Sequence, residues 1–372
     1  MMELTVRKED MVKGLGKSQS VVERRTSMPI LSNVLLEAEG ERLIVAATDL
    51  ETSFTGECAA RVSKPGKVTV PARKLYEIVK ELPADEIYIK EKSNNFLHIS
   101  AGRASFDLVG LSAEDFPNLP KIKGMAQLSL AGPVLAEMIE KTIFSISQED
   151  TRYNLAGLFV QQRKSDDKFY LRFVSTDGHR LSLVDRAFEG LGDLELGNGV
   201  IIPRKGVAEM RKMAEESEEL RLGLSQSYAT LTQDQSKLIL RIQEGTFPDY
   251  EVVVPKVIKK SVVVNRQAFS DVLRRVAILA TDRFQGVKLD FKEGLLEVIS
   301  QNPDLGEARE ALEVDYDGEA LSVGFNARYF MELCAAMRSE EVSLGFVDEQ
   351  HPCLIKGEAD QGFISVIMPM RL

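Results

Sequence analysis

This chain repeats itself at a spacing of about 130 residues, one domain's worth of polypeptide, and that constrains its fold more than any single motif. Asp115-Phe-Pro-Asn-Leu-Pro120 returns as Thr246-Phe-Pro-Asp-Tyr250. Thr48-Asp49-Leu50 returns as Thr176-Asp177-Gly178, and Val68-Thr-Val-Pro-Ala-Arg-Lys74 returns as Val200-Ile-Ile-Pro-Arg-Lys205. A third copy is fainter. Asp282-Arg-Phe-Gln-Gly-Val-Lys-Leu-Asp290 resembles Thr151-Arg-Tyr-Asn-Leu-Ala-Gly-Leu-Phe159, and Leu321-Ser-Val-Gly-Phe-Asn-Ala-Arg328 stands where the proline–arginine segments stood. The 372 residues therefore divide into three units, 1–124, 125–258 and 259–372, with boundaries at the Pro-, Gly- and Lys-bearing loops 117–126 and 248–260.

The order of elements repeats as well. A strand pattern at Glu3 to Arg7 is followed by an amphipathic helix from about Asp10 to Val21, with Met11, Val12, Leu15 and Val22 on or near one face. Alternating strands follow at Asn33 to Glu39, Leu43 to Thr48 and Phe54 to Val62. The pattern restarts at Val68 to Val70, with a helix at Arg73 to Leu82 and strands at Glu86 to Lys90, Phe96 to Ser100 and Ser105 to Val109. Further helices are expected near Val134–Ile146, Arg204–Glu216, Gln267–Ala280 and Arg328–Arg338. Each domain thus reads as strand–helix–strands stated twice, an α+β architecture with antiparallel sheets.

A composition of 44% hydrophobic and 28% charged residues suits a globular chain with real cores. No apolar run reaches membrane-spanning length, and Met1-Met-Glu-Leu-Thr-Val-Arg-Lys8 carries no apolar signal region, so a cytoplasmic protein is expected. Three scattered cysteines, Cys58, Cys334 and Cys353, fit a reducing compartment. The net charge of −10 speaks against nucleic acid only if it is evenly spread. The helices carry Lys13, Lys17, Arg73, Lys74, Lys80, Lys141, Arg204, Lys205, Arg211, Lys212, Arg274, Arg275, Arg328 and Arg338, interleaved with Glu77, Glu81, Glu137, Glu140, Glu215 and Glu216. Charge alone leaves open whether this is one basic face or a scatter of solvated side chains.

The C-terminus is unusual. Phe363-Ile-Ser-Val-Ile-Met-Pro-Met-Arg-Leu372 is a strand pattern that proline should end near Met368, leaving methionines at a sheet edge as soft apolar surface. That is a surface able to receive several different peptides. A tail pinned into a core is the other reading.

Enzyme chemistry finds little support. Gly14-Leu-Gly-Lys-Ser18 looks like the end of a phosphate loop, but the motif's first glycine is replaced by Met11 and the segment lies in a helical pattern. Thr176-Asp-Gly-His-Arg180 could let Asp177 orient His179, yet no nucleophile elbow accompanies it, and Asp-Gly is a turn signal. His98 and His351 lack ligand spacing. No catalytic residue, metal or cofactor is called for.

Nine segments, spread along the whole chain in order, form one pattern: Met28-Pro-Ile-Leu-Ser-Asn33, Ala47-Thr-Asp-Leu-Glu51, Val70-Pro-Ala-Arg-Lys74, Asp115-Phe-Pro-Asn118, Thr176-Asp-Gly-His-Arg-Leu181, Ile202-Pro-Arg-Lys-Gly206, Phe247-Pro-Asp-Tyr250, Gly324-Phe-Asn326 and Val366-Ile-Met-Pro-Met-Arg-Leu372. In these the whole chain resembles the bacterial β sliding clamps, the processivity subunits of replicative DNA polymerases. The resemblance implies three tandem DNA-clamp domains in a head-to-tail homodimeric ring around double-stranded DNA, with helices lining a basic hole. It also implies partners: the replicative polymerase, the clamp loader, and repair and translesion proteins with clamp-binding motifs.

The resemblance further implies a peptide pocket of Leu155, Thr176, Gly178, His179, Arg180, Leu181, Pro248, Val253, Asn326, Tyr329, Val366, Met368, Pro369, Met370 and Arg371, with Arg180, His179 and Asn326 as polar anchors. It implies DNA contacts at Arg25, Arg152 and Tyr153, joined by helix cations such as Lys141, and insensitive to sequence. The implied dimer interface sets Lys74, Arg103, Phe106 and Leu108 against Ile278, Leu279, Asp304, Glu307 and Glu310. Two departures stand out: Glu251-Val252 where relatives often carry basic residues, and Ser105, Gly306 and Arg309 where relatives often carry interface charges. The competing readings are a phosphoryl-transfer enzyme built on Gly14–Ser18 and a peptide-binding adaptor that does not encircle DNA.

Overall fold

The computed structural model describes residues 1–22, 27–149, 151–194, 196–280 and 285–371. Arg25, Leu372 and the start of the Asp282–Asp290 segment, all singled out above, lie outside the described residues. The described chain reads strand, helix, three strands, six times in succession, which is the duplicated unit expected of each domain. The helices are α1 (Lys8–Ser18), α2 (Ala72–Glu81), α3 (Gly132–Ile143), α4 (Arg204–Glu215), α5 (Arg266–Val276) and α6 (Ala327–Ala336).

Local chemistry accounts for these elements. In α2 the buried positions are Ala72, Leu75 and Val79, a single stripe at helical spacing. In α5 the stripe is Phe269, Val272, Leu273 and Val276, and the Asn265 side chain caps the helix by accepting from the Ala268 N–H at 3.0 Å. The α5 helix stops earlier than expected, its last turn tightening into a 3-10 segment, Ala277–Leu279. Gly14 lies within α1, where a Cβ would come within 3.3 Å of Cys58 Sγ. It is a packing glycine, not part of a phosphate cradle, and Ser18 donates its hydroxyl to the Leu15 carbonyl.

The chain forms two compact units that do not follow the repeat. The first is mainly Met1–Pro133 with Ala208–Ile242, and the second is mainly Val134–Gly192, Leu196–Val207 and Gln243–Leu372. The cause is strand pairing across repeat boundaries. In the first unit one 12-stranded sheet runs Ala104–Val109, Phe96–Ala101, Glu86–Glu91, Glu3–Arg7, Thr52–Lys64, Ser236–Arg241, Tyr228–Gln233, Glu219–Leu224, Gln127–Ala131, with the remaining strands of the first repeat branching from it. The crossing point is Thr52–Lys64 against Ser236–Arg241, in antiparallel register with Phe54 opposite Leu238.

In the second unit an eight-stranded sheet runs Val200–Pro203, Gly157–Ser165, Lys168–Thr176, Arg180–Ala187, Phe363–Ile367, Cys353–Lys356, Glu341–Phe346, Lys260–Asn265. Its crossing point is Arg180–Ala187 against Phe363–Ile367, with Leu181 opposite Val366 and Leu183 opposite Ile364. A four-stranded sheet, Gly306–Glu313, Leu295–Asn302, Gly286–Lys292, Leu321–Asn326, completes this unit.

The C-terminal strand Phe363–Ile367 ends before Met368 as proline requires, and it is an interior strand, paired on both sides. The residues beyond it reach a sheet edge as expected, where Met370 bridges Gly324. The helix cations are also largely spent: Arg73 and Lys74 pair with Glu77, Arg211 with Glu215, Lys212 with Glu209, Arg274 with Asp271, Arg328 with Glu332, and Arg338 with Glu137. All but Arg338 find a carboxylate three or four residues away on the same helix face, and Arg338 reaches across to Glu137 on α3.

The cysteines are free and buried, and burial pushes the Cys58 thiol up to about 11 and that of Cys334 up to about 12, which makes both inert. No helix among the described residues is long and apolar enough to cross a membrane.

Candidate functional site

Two turns and the C-terminal tail come together in the second unit. Thr176-Asp-Gly-His-Arg180 is a tight turn between strands Lys168–Thr176 and Arg180–Ala187. Asp177 Oδ1 accepts from the His179 and Arg180 N–H groups at 2.9 and 3.0 Å, and Thr176 Oγ1 accepts from the Gly178 N–H at 3.1 Å. Gly178 has φ +87°, a conformation that favours glycine. Asp177 thus serves the turn and does not orient the His179 ring. The tail docks on this turn: the Met368 N–H donates to the His179 carbonyl at 2.8 Å. Two residues on, the Met370 N–H donates to the Gly324 carbonyl at 2.8 Å, on the free edge of the four-stranded sheet. Met368, Pro369 and Met370 are half-buried and Arg371 is exposed.

The floor beside the tail is apolar. Leu181 and Val366 face the same side of their paired strands and join Phe159, Val174, Leu183, Ile201, Phe247, Tyr250 and Leu354 in one cluster, with Leu155 and Val253 packed against it. Phe247 stacks on Phe159 with ring centroids 4.7 Å apart, which fixes the segment carrying the exposed Pro248. Leu155, Leu181, Val253 and Val366 of the expected pocket are thereby brought together.

Arg180 does not act as an open anchor. It is 6% exposed, its Nη1 lies 2.6 Å from Glu332 Oε2, and its Nε bonds Asp177 Oδ2 at 3.1 Å. It also donates to the Phe144 carbonyl, and its guanidinium lies over the rings of Tyr329 at 4.5 Å and Phe144 at 5.2 Å. A buried guanidinium needs such partners, and although Nη1 meets Glu332 as an ion pair without a hydrogen bond, these contacts together hold α6 against the turn. Burial pushes the Glu332 carboxyl up, but the hydrogen bond from Arg328 and the charge of Arg180 outweigh it and hold it below the usual range. Burial, with Asp177 nearby, raises the Tyr329 phenol. Asn326 Oδ1 caps α6 by accepting from the Arg328 N–H at 2.9 Å. Sequence reasoning missed Glu332, Phe144, Phe159 and Leu183, because no local motif marks them.

The rim residue Glu251 is neutralised locally. It pairs with Arg163 at 2.8 Å and lies 3.7 Å from Arg172, so this departure leaves no open negative charge at the site.

The DNA-contact expectations fare unevenly. Lys141 is fully buried, paired with Glu137 at 2.7 Å and Asp360 at 2.8 Å, and cannot reach a phosphate. The correction has a simple cause: α3 turns this position onto the loop before the last strand. Tyr153 is 58% exposed. Arg152 is half-buried, pairs with Glu149 at 3.0 Å and donates to the Asp177 carbonyl, so it braces the turn that receives the tail.

At the interface positions, Phe106 is 43% and Ile278 74% exposed, whereas Leu108 and Leu279 are half-buried. Lys74 bonds Glu77 at 2.8 Å. Glu310 receives a two-pronged bond from Arg275 at 2.5 and 2.9 Å, and Glu307 accepts from Gln301 and Arg309 at 2.8 and 3.2 Å. Arg103 and Asp304 are exposed, and Gly306 has φ +111°, so its glycine is conformational. Among the described residues no group of three or more His, Cys, Asp or Glu side chains is placed to hold a metal.

Tandem duplicated α+β units, sheets continued from one repeat to the next and an apolar cluster beside a methionine tail point to the class of DNA clamps. The chain belongs to the DNA polymerase III beta subunit family. The N-terminal domain of that family matches residues 2–120, its central domain 129–249 and its C-terminal domain 251–371. The chain is 38% identical over 375 residues to the beta sliding clamp of Caulobacter vibrioides and 35% identical over 373 residues to that of Pseudomonas aeruginosa, with 100% of each chain covered. Among solved structures it is similar to the Caulobacter crescentus beta sliding clamp, with TM-score 0.94, 38% identity and both chains fully covered. It is likewise similar to a Bartonella birtlesii sliding clamp bound to griselimycin, with TM-score 0.93, 36% identity and both chains fully covered. Its function is that of the family, a non-catalytic clamp that confers processivity on the polymerase.

Proposed function

We propose that two copies of this chain, head to tail, close into a ring of three-domain subunits that encircles double-stranded DNA in the cytoplasm. One observation carries this reading. Each crossing between repeats pairs the last strand of a first half with the last strand of a second half: Thr52–Lys64 with Ser236–Arg241, and Arg180–Ala187 with Phe363–Ile367. Two last strands are left over, Ala104–Val109 and Gly306–Glu313, and each is the outermost strand of its sheet. By the same rule they pair between copies, with Phe106 and Leu108 of one facing Ile278 and Leu279 of the other. A head-to-tail interface of this kind closes when its rotation allows and leaves no free edge.

The domains are 1–124, 125–258 and 259–372. Within this reading Tyr153, Arg152 and Arg25 contact phosphates without reading bases. The groove around Leu155, Thr176, Leu181, Pro248, Val253, Val366 and Met368–Arg371, flanked by Gly178, His179, Asn326 and Tyr329, receives linear motifs of the polymerase, the clamp loader and repair and translesion proteins. Griselimycin binding by the Bartonella birtlesii clamp supports a ligand site in such a fold. The test is topological. After loading, the protein should be retained on circular DNA and lost when the circle is cut. Equal retention on both would favour an adaptor that does not encircle DNA.

A further inference from the structure

The apolar floor does not end at Leu181 and Val366. Along the same face the next rung is Leu183 opposite Ile364, followed by Asp185, whose N–H donates to the Gly362 carbonyl at 2.9 Å. The adjoining strand keeps step, with Leu354 opposite Val366 and Lys356 one rung further. Successive rungs on one face are about 7 Å apart. At this end of the strands lies a cleft of about 640 Å³, lined by Leu183, Ile364 and Val254 together with Lys256 and Lys356. The two arginines of the cleft are already engaged: Arg172 forms a forked bond to Asp185 at 2.6 and 2.7 Å, and Arg163 pairs with Glu251. Lys256 and Lys356 are exposed and have no partner among the described residues, against two exposed carboxylates, Glu358 and the Arg163-paired Glu251. On the linker that supplies Lys256, Val252 and Val257 are exposed as well.

We propose that this cleft extends the peptide groove and takes the acidic residues flanking a partner's linear motif, with Lys256 and Lys356 selecting carboxylates. The inference rests on the peptide-pocket reading. The continuous in-register floor makes the cleft reachable by two to four extended residues beyond an apolar anchor seated on Leu181 and Val366. The unpaired lysines set the sign of the charge it prefers. Carboxylates arriving there meet no competing internal partner, whereas a basic segment meets two like charges.

The experiment is a fluorescence-anisotropy titration of the full-length protein. The probes are a short Gln- and Leu-containing clamp-binding peptide and the same peptide extended at either end by three glutamates, three serines or three lysines. Glutamate at one end should tighten binding about 3- to 10-fold over serine at low salt, with the gain fading between about 50 mM and about 500 mM salt. K256S/K356S should remove the gain and leave the unextended peptide's affinity unchanged. K256E/K356E should transfer the preference to the lysine extension. Equal binding of glutamate and serine extensions at both ends overturns the proposal, as does a gain that survives K256S/K356S. Displacement of the glutamate peptide by a single-stranded oligonucleotide that leaves the unextended peptide bound would reassign the cleft to nucleic acid. If the unextended peptide itself fails to bind, the pocket reading falls, and that result is distinct from binding without a glutamate gain.

Discussion

Lys141 Nζ lies 2.8 Å from Asp360 Oδ1, and both side chains are closed off from solvent. The lysine also bonds Glu137 at 2.7 Å and lies 5.5 Å from the centre of the Phe363 ring. Glu137 in turn takes Arg186 at 2.7 Å and Arg338 at 3.1 Å. Asp360 accepts from the Arg338 and Ser339 N–H groups and from Ser339 Oγ at 2.6 Å. One buried cation therefore clasps α3 of the central repeat to the turn after α6 and to the last strand of the third repeat.

Replacing Lys141 by Met should destabilise the protein by about 3 kcal/mol, because it leaves a buried carboxylate short of its counter-charge. The denaturation midpoint should fall while retention of the native protein on circular DNA is unchanged. Lost retention with an unshifted midpoint would return Lys141 to the DNA-facing surface.

The same clasp sets an acid limit. Burial pushes the Asp360 and Glu137 carboxyls up, but Lys141 and the surrounding donors outweigh it and hold both below their ordinary values of 3.8 and 4.5. Groups depressed in the folded state contribute fully above those ordinary values and lose the contribution as pH falls through the folded ones. Thermal midpoints of the wild type should therefore drop below about pH 4, and K141M should flatten that part of the profile. Identical acid profiles for the two proteins would show that the pair is not linked to stability.

The interface prediction concerns Ile278 and Leu279. Two of the three acids implied at this interface are already bonded within the chain, Glu310 to Arg275 and Glu307 to Arg309, so association rests mainly on apolar contact. Changing both residues to aspartate should yield monomers by sedimentation velocity, with the circular dichroism spectrum unchanged. An unaltered sedimentation coefficient would remove this edge from the subunit junction.

DNA contact should be weak, salt-sensitive and indifferent to sequence, since most helix cations are paired internally and few phosphates are touched at once. Tyr153→Ala should lower retention equally on any circular duplex. Arg152→Ala should in addition weaken peptide binding, because its guanidinium braces the Asp177–Gly178 turn. Strong discrimination between circles of equal length would contradict a sliding contact.

Much of the fold is legible in the sequence. Helical spacing of Leu75 and Val79, or of Phe269 and Leu273, locates helices to within a few residues. The sheets that cross repeat boundaries are not legible, because Phe54 and Leu238 meet through generic strand patterns far apart in the chain. Lys141 illustrates the same limit. On its own helix it looks like any surface lysine beside Glu137, and only the fold supplies Asp360. The proposed groove is legible only through family motifs. Its supporting contacts, such as Glu332 on Arg180, come from helices with no motif.

The final prediction concerns the tail. Met368 and Met370 are tied to His179 and Gly324 by one backbone bond each, beside the floor of Leu181 and Val366. Each bond contributes only about 1 kcal/mol, so removing residues 368–372 should shift the denaturation midpoint slightly. The apolar wall is another matter. Linear motifs bind through a few anchors in a preformed groove, and losing the wall that seats an anchor should weaken a short Gln- and Leu-containing clamp-binding peptide by about 100-fold or more. The strands Ala104–Val109 and Gly306–Glu313 are untouched by the truncation, so sedimentation should still show a dimer, while processive synthesis is lost. Anisotropy titration and sedimentation on the same truncated protein separate the outcomes. A dimer that binds the peptide as tightly as the full chain would mean that the tail is only a pinned end of the fold. A monomer would mean that the tail acts on assembly and not on the groove.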